Sequence, residues 1–116
     1  MARSAVTVAS AVLNAATAVT KDAFDIANDH SIDVSNVDTT KLTIYIETLD
    51  THAADFAIKA GDGQAAGIGD LTFSTSAAGL KVITLDSARF KDSDGLILID
   101  ITSSAGATGN IWAVEA

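Results

Sequence analysis

The stretch LKVITLDSARFKDSDGLILIDI, Leu80–Ile101, decides the predicted fold. Its last part, Leu96–Ile101, is the most apolar run in the chain, and three isoleucines alternate along it: Ile97, Ile99 and Ile101. Alternating β-branched residues are typical of a strand with one face in a core. An earlier apolar segment, Leu80–Leu85, is separated from this run by the turn sequence KDSDG. We therefore predict a central pair of strands joined by an irregular connection.

Similar short segments extend in both directions from this stretch. Lys41–Leu49 alternates most clearly, with Leu42, Ile44 and Ile46 predicted to face the core. Ala54–Ala60 follows after a turn, and we predict that the two form an antiparallel hairpin. Further strands are predicted at Ser31–Val34, Asp70–Ser76 and Thr108–Glu115.

The spacing of these segments defines the predicted fold class. Short strands recurring about every 8–12 residues are typical of a β-sandwich or barrel. We predict an all-β, antiparallel, jelly-roll-like sandwich of seven or eight short strands with an N-terminal extended arm. Residues 1–20 form the arm and first strand, and residues 21–116 form a single sandwich domain. A chain of 116 residues suits one such domain.

The net charge of −8 narrows the possible partners. Nucleic-acid phosphates and anionic membranes both need clusters of Lys and Arg, and the chain has 7 basic against 15 acidic residues. No nucleic-acid or membrane partner is therefore predicted. The absence of Cys excludes disulfides, thiol nucleophiles and Cys-ligated zinc. Polar residues interrupt the N-terminal apolar stretch, so we expect it to belong to the mature protein.

No catalytic or cofactor-binding residues are predicted. His30 and His52 both lie in polar, turn-like sequence, where we expect surface or capping roles. The chain has no G-x-S-x-G nucleophile motif and no GK[ST] phosphate loop. An enzyme would require a pocket that holds one of the two histidines beside two aspartates.

The only metal ion for which the sequence suggests ligands is calcium, which the aspartates could bind. Asp92–Gly95 resembles part of a carboxylate loop that binds calcium. Four further aspartates lie close to one another in the sequence: Asp22, Asp25, Asp29 and Asp33. Calcium needs six to eight oxygen ligands, and the complete loop with its distal Glu is absent. We therefore predict that these aspartates form turns, without a metal.

Several segments taken together resemble a family of small proteins of tailed bacteriophages that are encoded near the major capsid protein. The segments are Lys41–Glu47, Ile58–Asp62, Gly67–Leu71, Asp86–Gly95 and Ala107–Ile111. The family comprises head decoration, or cement, proteins of β-sandwich or jelly-roll type, and the similarity covers roughly residues 30–115. It implies a virion protein on the capsid surface that binds the major capsid protein noncovalently as a dimer or trimer. It implies no catalytic residues.

This hypothesis predicts which residues contact the capsid. The Ala- and Val-rich arm and the second face of the central run are the apolar elements available for docking. The predicted interface residues are Val6, Val8, Val12, Leu13, Leu96 and Leu98. The alternative is a carbohydrate-binding or adhesive module of a phage tail fibre or cell surface, in which exposed Tyr45 or Trp112 stacks on a sugar.

Overall fold

The computed structural model describes residues 3–11, 13–49, 53–63, 66–75, 79–85, 87–103 and 107–115. These contain ten strands: β1 (Ser4–Ala5), β2 (Val8–Ser10), β3 (Asp22–Ala23), β4 (His30–Asp33), β5 (Leu42–Thr48), β6 (Ala54–Ile58), β7 (Leu71–Thr75), β8 (Leu80–Thr84), β9 (Leu96–Ser103) and β10 (Gly109–Glu115). Helical structure in these ranges is limited to two 3₁₀ turns, Thr39–Lys41 and Ala66–Ile68, and one helix, α1 (Ser87–Phe90). All seven strands predicted after the arm are present, and the all-β class is confirmed.

The strands form two sheets that pack on a shared core. Sheet A has the order β1-β4-β9-β6-β7, and sheet B has the order β2-β10-β5-β8, with β3 also paired to β10. Neighbouring strands run antiparallel except that β1 is parallel to β4 and β2 is parallel to β10. Both sheets are therefore mixed, where a purely antiparallel sandwich is predicted. The difference arises because one N-terminal segment runs along an edge strand of each sheet.

The core consists of the inward-facing set of each alternating strand. Along β5 the side chains of Leu42, Ile44 and Ile46 are buried, as predicted. The same alternation buries Ile97 and Ile99 of β9. Full burial of one such side chain contributes about 1.5–3 kcal/mol to the free energy of unfolding. These alternating strands therefore supply most of the force that holds the two sheets together.

An aromatic cluster fills one part of the core. The Phe56 ring of β6 stacks on the Phe73 ring of β7, with centroids 5.3 Å apart. It also forms a T-shaped pair with the Phe24 ring, with centroids 5.5 Å apart. Phe24 lies next to β3 of sheet B, so this contact joins the two sheets.

Two predicted strand pairs are wrong. β8 and β9 do not pair, because β8 is the last strand of sheet B and β9 lies inside sheet A. β5 and β6 do not form a hairpin either, since the chain crosses from sheet B to sheet A between them. Alternation of apolar residues specifies which face of a strand is buried, but it carries no information on which strand lies beside it. Ala54–Ile58 instead forms an antiparallel hairpin with the next strand, β7.

The N-terminal segment is not a free arm in this structure. Ser4 and Ala5 pair with His30 and Ser31 of β4. A few residues later the chain changes sheets, and Val8 pairs with Ala113 of β10. Two-residue and three-residue strands of this kind give no sequence signal of their own, which is why the structure has ten strands in its described part rather than seven or eight.

Candidate interaction surface

The outer face of sheet B carries a contiguous apolar stripe. Val82 of β8, Tyr45 of β5 and Trp112 of β10 lie opposite one another in register and point away from the core. Leu80 lies one pleat further along β8, opposite Glu47. Leu80 and Val82 are 56% and 57% exposed, and the two aromatic side chains are half-buried. We call these four residues, Leu80, Val82, Tyr45 and Trp112, the sheet B stripe.

The indole of Trp112 is enclosed on both faces. The Tyr45 ring stacks on it with a centroid separation of 5.4 Å and an angle of 8° between the planes. On the other side, the Nζ atom of Lys21 lies 4.7 Å from the indole centroid. Lys21 directly precedes β3, which pairs with β10 on the side away from β5, so Tyr45 and Lys21 flank opposite faces. Trp112 therefore presents its edge to solvent, whereas sugar stacking requires an open face.

The charges bordering the stripe pair with each other. Lys21 Nζ lies 3.2 Å from Glu47 Oε1, and Asn110 Nδ2 donates a 3.0 Å hydrogen bond to the same oxygen. The Asn110 hydrogen bond, followed by Lys21, holds the pKa of Glu47 below its usual value. Because the two charges cancel, this part of the outer face is neutral on a molecule with a net charge of −8. A neutral apolar patch on an acidic protein is typical of a surface that contacts another macromolecule.

The edge of the stripe coincides with the edge of the sheet. Beyond β8 no further strand of sheet B follows in the described residues. Between β8 and the sheet A edge strand β7 lies a groove of about 330 Å³, lined by Leu71, Phe73, Val82 and Ile83 among others. Lys81 lies opposite the buried Ile46, so the register places it on the core side of this edge. Lys81 is exposed, and a lysine on an edge strand is a known means of preventing edge-to-edge association of sheets.

The predicted interface residues do not form one surface. Val6 is only 5% exposed and belongs to the core, and Val8 packs against that core. Leu13 is 88% exposed but lies outside both sheets. Leu96 and Leu98 are half-buried on the outer face of sheet A. Val12 lies outside the described residues.

Some of the aspartates, among them Asp25, Asp33 and Asp92, accept backbone hydrogen bonds at turns as predicted, whereas Asp22 and Asp29 accept from the distant Thr7 and Ile101 N–H groups. Asp92 Oδ1 accepts from the N–H groups of Asp94 and Leu96, both at 2.9 Å. Asp33 and Asp38 each accept from the hydroxyl and the N–H group of the residue two positions ahead, Ser35 and Thr40. The hydroxyl bond, followed by the N–H bond, lowers the pKa of each carboxyl. Within the described ranges, no three acidic or histidine side chains converge in a way that could hold a metal ion.

His30 corrects a sequence prediction. Its side chain is fully buried, not on the surface. The expected capping role is nevertheless present, because Nε2 accepts a 2.9 Å hydrogen bond from the backbone N–H of Asp25. A buried imidazole cannot reach a substrate in solvent, so the enzyme hypothesis gains no support from it. His52 lies outside the described residues.

The sequence named only the aromatic half of the stripe, as the exposed Tyr45 or Trp112 of the adhesive alternative. For Leu80–Leu85 it predicts a strand but assigns no face, because apolar residues fall at both alternating sets of positions. In the structure Leu80 and Val82 face outward and Ile83 is buried.

The comparisons matched the chain to no protein-family model, to no curated protein and to no solved structure. No helix in the described part of the chain is long and apolar enough to cross a membrane.

Proposed function

We propose that this chain is a non-catalytic virion protein, a decoration or cement protein that binds the outer surface of a phage head and stabilises the capsid. The observation that carries the docking part of this proposal is the sheet B stripe. It places two exposed aliphatic residues and an aromatic pair on a neutral face of an acidic molecule. The phage capsid as the partner comes from the sequence resemblance.

The strand order supports a jelly roll, the architecture that the resemblance implies. If β3 is counted as the first strand and β10 as the last, sheet B runs first-last-third-sixth and sheet A runs second-seventh-fourth-fifth. This is the order of an eight-stranded jelly roll, a fold common in viral capsid proteins. In this description β1 and β2 are additions at the sheet edges.

A cement protein acts by linkage rather than by turnover. A molecule that binds only the assembled shell stabilises that shell in proportion to occupancy. If the chain is a dimer or trimer, several stripes contact neighbouring capsid subunits together, which gives high avidity from modest single contacts. The large negative charge keeps the free protein soluble before it binds.

Cosedimentation with assembled shells tests this proposal. Purified protein is mixed with shells of the major capsid protein of the encoding phage and, separately, with unassembled capsid subunits. We expect saturable binding to shells only, and at least about tenfold weaker binding by the double variant Leu80→Glu, Val82→Glu. The matched control is Ile68→Glu, which changes a 69% exposed isoleucine away from the stripe and should bind normally. Failure of the wild-type chain to bind shells would refute the proposal.

The adhesive-module alternative has one supporting observation, since Trp112 lies on the outer face of sheet B and not in the core. Sugar binding there requires Lys21 to leave the indole face. Binding on a glycan array that Lys21→Ala strengthens and Trp112→Ala abolishes would favour this alternative over the capsid proposal.

A further inference from the structure

Residues 3–10, which we call the N-terminal strap, are attached to both sheets by short strand pairings, two residues long with β4 and three residues long with β10, and by further backbone bonds. Ser4 N–H donates to Asp29 O at 3.0 Å, and Val6 N–H donates to Ser31 O at 2.8 Å. In sheet B, Thr7 O accepts from Ala113 N–H at 3.3 Å. After the strap, residues 13–21 are exposed and contain no strand or helix. The strap can therefore separate from the sandwich without moving the strands that follow.

The buried Val6 side chain and several acidic side chains add to the attachment. Asp25 accepts a hydrogen bond from the Ser4 hydroxyl. Asp22 Oδ2 accepts from the Thr7 N–H at 2.7 Å. Arg3 Nη1 lies 2.6 Å from Asp100 Oδ1 and also donates to the backbone oxygen of His30 at 3.1 Å. Of the six aspartates considered for calcium, Asp22 and Asp25 thus hold the strap through their side chains.

The side chain of His30 contacts Asp25, one of the residues that hold the strap, and this contact requires a neutral imidazole ring. Nε2 accepts the Asp25 N–H, so it carries no proton. The other ring nitrogen, Nδ1, is buried and has no hydrogen-bond partner within the described residues. Protonation would remove the acceptor for Asp25 and place a cation in a buried site, both of which are unfavourable.

The groups around the His30 ring have opposing effects on its protonation. The Ser4 backbone on the strap, followed by the charges of Asp25, Asp22 and Asp29, favours the protonated ring. Arg3, on the strap, disfavours a second cation, and Asp100 on β9 neutralises Arg3. Burial outweighs the carboxylates, so the pKa of His30 is lower than usual. Hydrogen bonds from Ser4 and Asn28 lower the pKa of Asp25, which therefore stays ionised while His30 titrates.

We propose that the N-terminal strap is an acid-released element, which detaches from both sheets when His30 is protonated. Detachment breaks the Ser4–Asp25 and Thr7–Asp22 hydrogen bonds and exposes Val6 together with the edges of β4 and β10. This behaviour belongs to the free protein and does not depend on the proposed capsid function.

Hydrogen exchange followed residue by residue tests this proposal. Protection factors of the Ser4 and Val6 amides are compared at about pH 7.5 and about pH 5, a range in which histidine titrates. We expect them to fall roughly tenfold at the lower pH, while the Ile44 and Ile58 amides in the core keep their protection. Equal protection of Ser4 and Val6 at both pH values, or a parallel loss in the core, would overturn the proposal.

Two variants assign the effect to one histidine. His30→Gln offers Asp25 a neutral acceptor that does not titrate, so the pH effect on the strap should vanish. His52→Gln is the matched control and should retain it. Should His30→Gln fail to fold, NMR titration of the wild-type imidazole decides the question. A His30 midpoint that coincides with strap opening supports the proposal, and a midpoint at a different pH contradicts it.

Discussion

Tyr45 and Trp112 face each other across β5 and β10, with ring centroids 5.4 Å apart and planes inclined by 8°. The pair forms the centre of the sheet B stripe. Lys21 closes the free side of the indole. The stripe is therefore preorganised in the unbound chain, with its aromatic side chains already fixed by neighbours.

The aromatic pair should couple energetically. We expect a double-mutant cycle of Tyr45→Ala and Trp112→Ala, measured by urea unfolding, to give an interaction energy of about 0.5–1.5 kcal/mol. The neighbouring cross-strand pair on the same face, Thr43 and Val114, provides the control and should couple less strongly. Additive effects of the two aromatic substitutions would show that the stacking contributes nothing to stability.

Gly109 should not tolerate a side chain. A Cβ atom at this position would lie 2.0 Å from the backbone oxygen of Glu47 and 2.6 Å from the Phe24 ring. We expect Gly109→Ala to lower the free energy of unfolding by about 1–3 kcal/mol, because β10 and β5 must move apart. Gly67→Ala is the control, since a Cβ there meets nothing within 4 Å. Equal midpoints in urea for the two variants would contradict this.

The N-terminal strap should contribute to folding through Val6. Val6→Asp places an unpaired charge in the core and should cost about 3 kcal/mol or more. Leu13→Asp, in the exposed segment that follows, should change the free energy of unfolding by less than about 0.5 kcal/mol. Deletion of residues 1–14 should therefore destabilise the domain and not merely remove a docking element. Thermal unfolding of the three variants checks this, and a stable Val6→Asp protein would be the opposing result.

His30 should make the overall stability depend on pH. Its folded pKa is lowered from the ordinary value of 6.5, and burial is the main cause. The contribution of neutral His30 to the free energy of unfolding is therefore fully present above pH 6.5. It is lost as the pH falls through the lower folded pKa, because the unfolded chain binds the proton first. Urea unfolding of wild type and His30→Gln should diverge over this interval and run parallel above it. Identical pH profiles would exclude His30 as the cause.

Lys81 should keep the edge of sheet B from pairing with another chain. Replacing it with Val removes the only charge on the core side of β8, a strand whose opposite face already exposes Leu80 and Val82. We expect Lys81→Val to self-associate with increasing concentration, as measured by light scattering, because an uncharged apolar edge strand favours strand addition. Lys41→Val, which changes an exposed lysine away from this edge, should have the same mass as the wild type. No change in mass for Lys81→Val would show that the edge is protected by other means.

Sequence reasoning succeeded where the physical cause is local. The inward positions of Ile44, Ile46, Ile97 and Ile99 follow from strand periodicity, and the turn roles of the aspartates follow from their short acceptor side chains. Both are decided within a few residues of the chain.

Sequence reasoning failed where a residue's position depends on residues that are distant in the sequence. The burial of Val6 and His30 depends on strands that meet only in the folded sandwich. The outward direction of Leu80 and Val82 depends on the register with β5. The predicted interface therefore included a core residue and omitted the stripe.

The most direct test of the proposed attachment surface is a hydrogen-exchange footprint of the chain bound to assembled shells of the major capsid protein. We predict slower exchange along β8, Leu80–Thr84, upon binding, with no change in β4, His30–Asp33, which belongs to sheet A. Protection confined to sheet A, or the absence of binding to shells, would contradict the account.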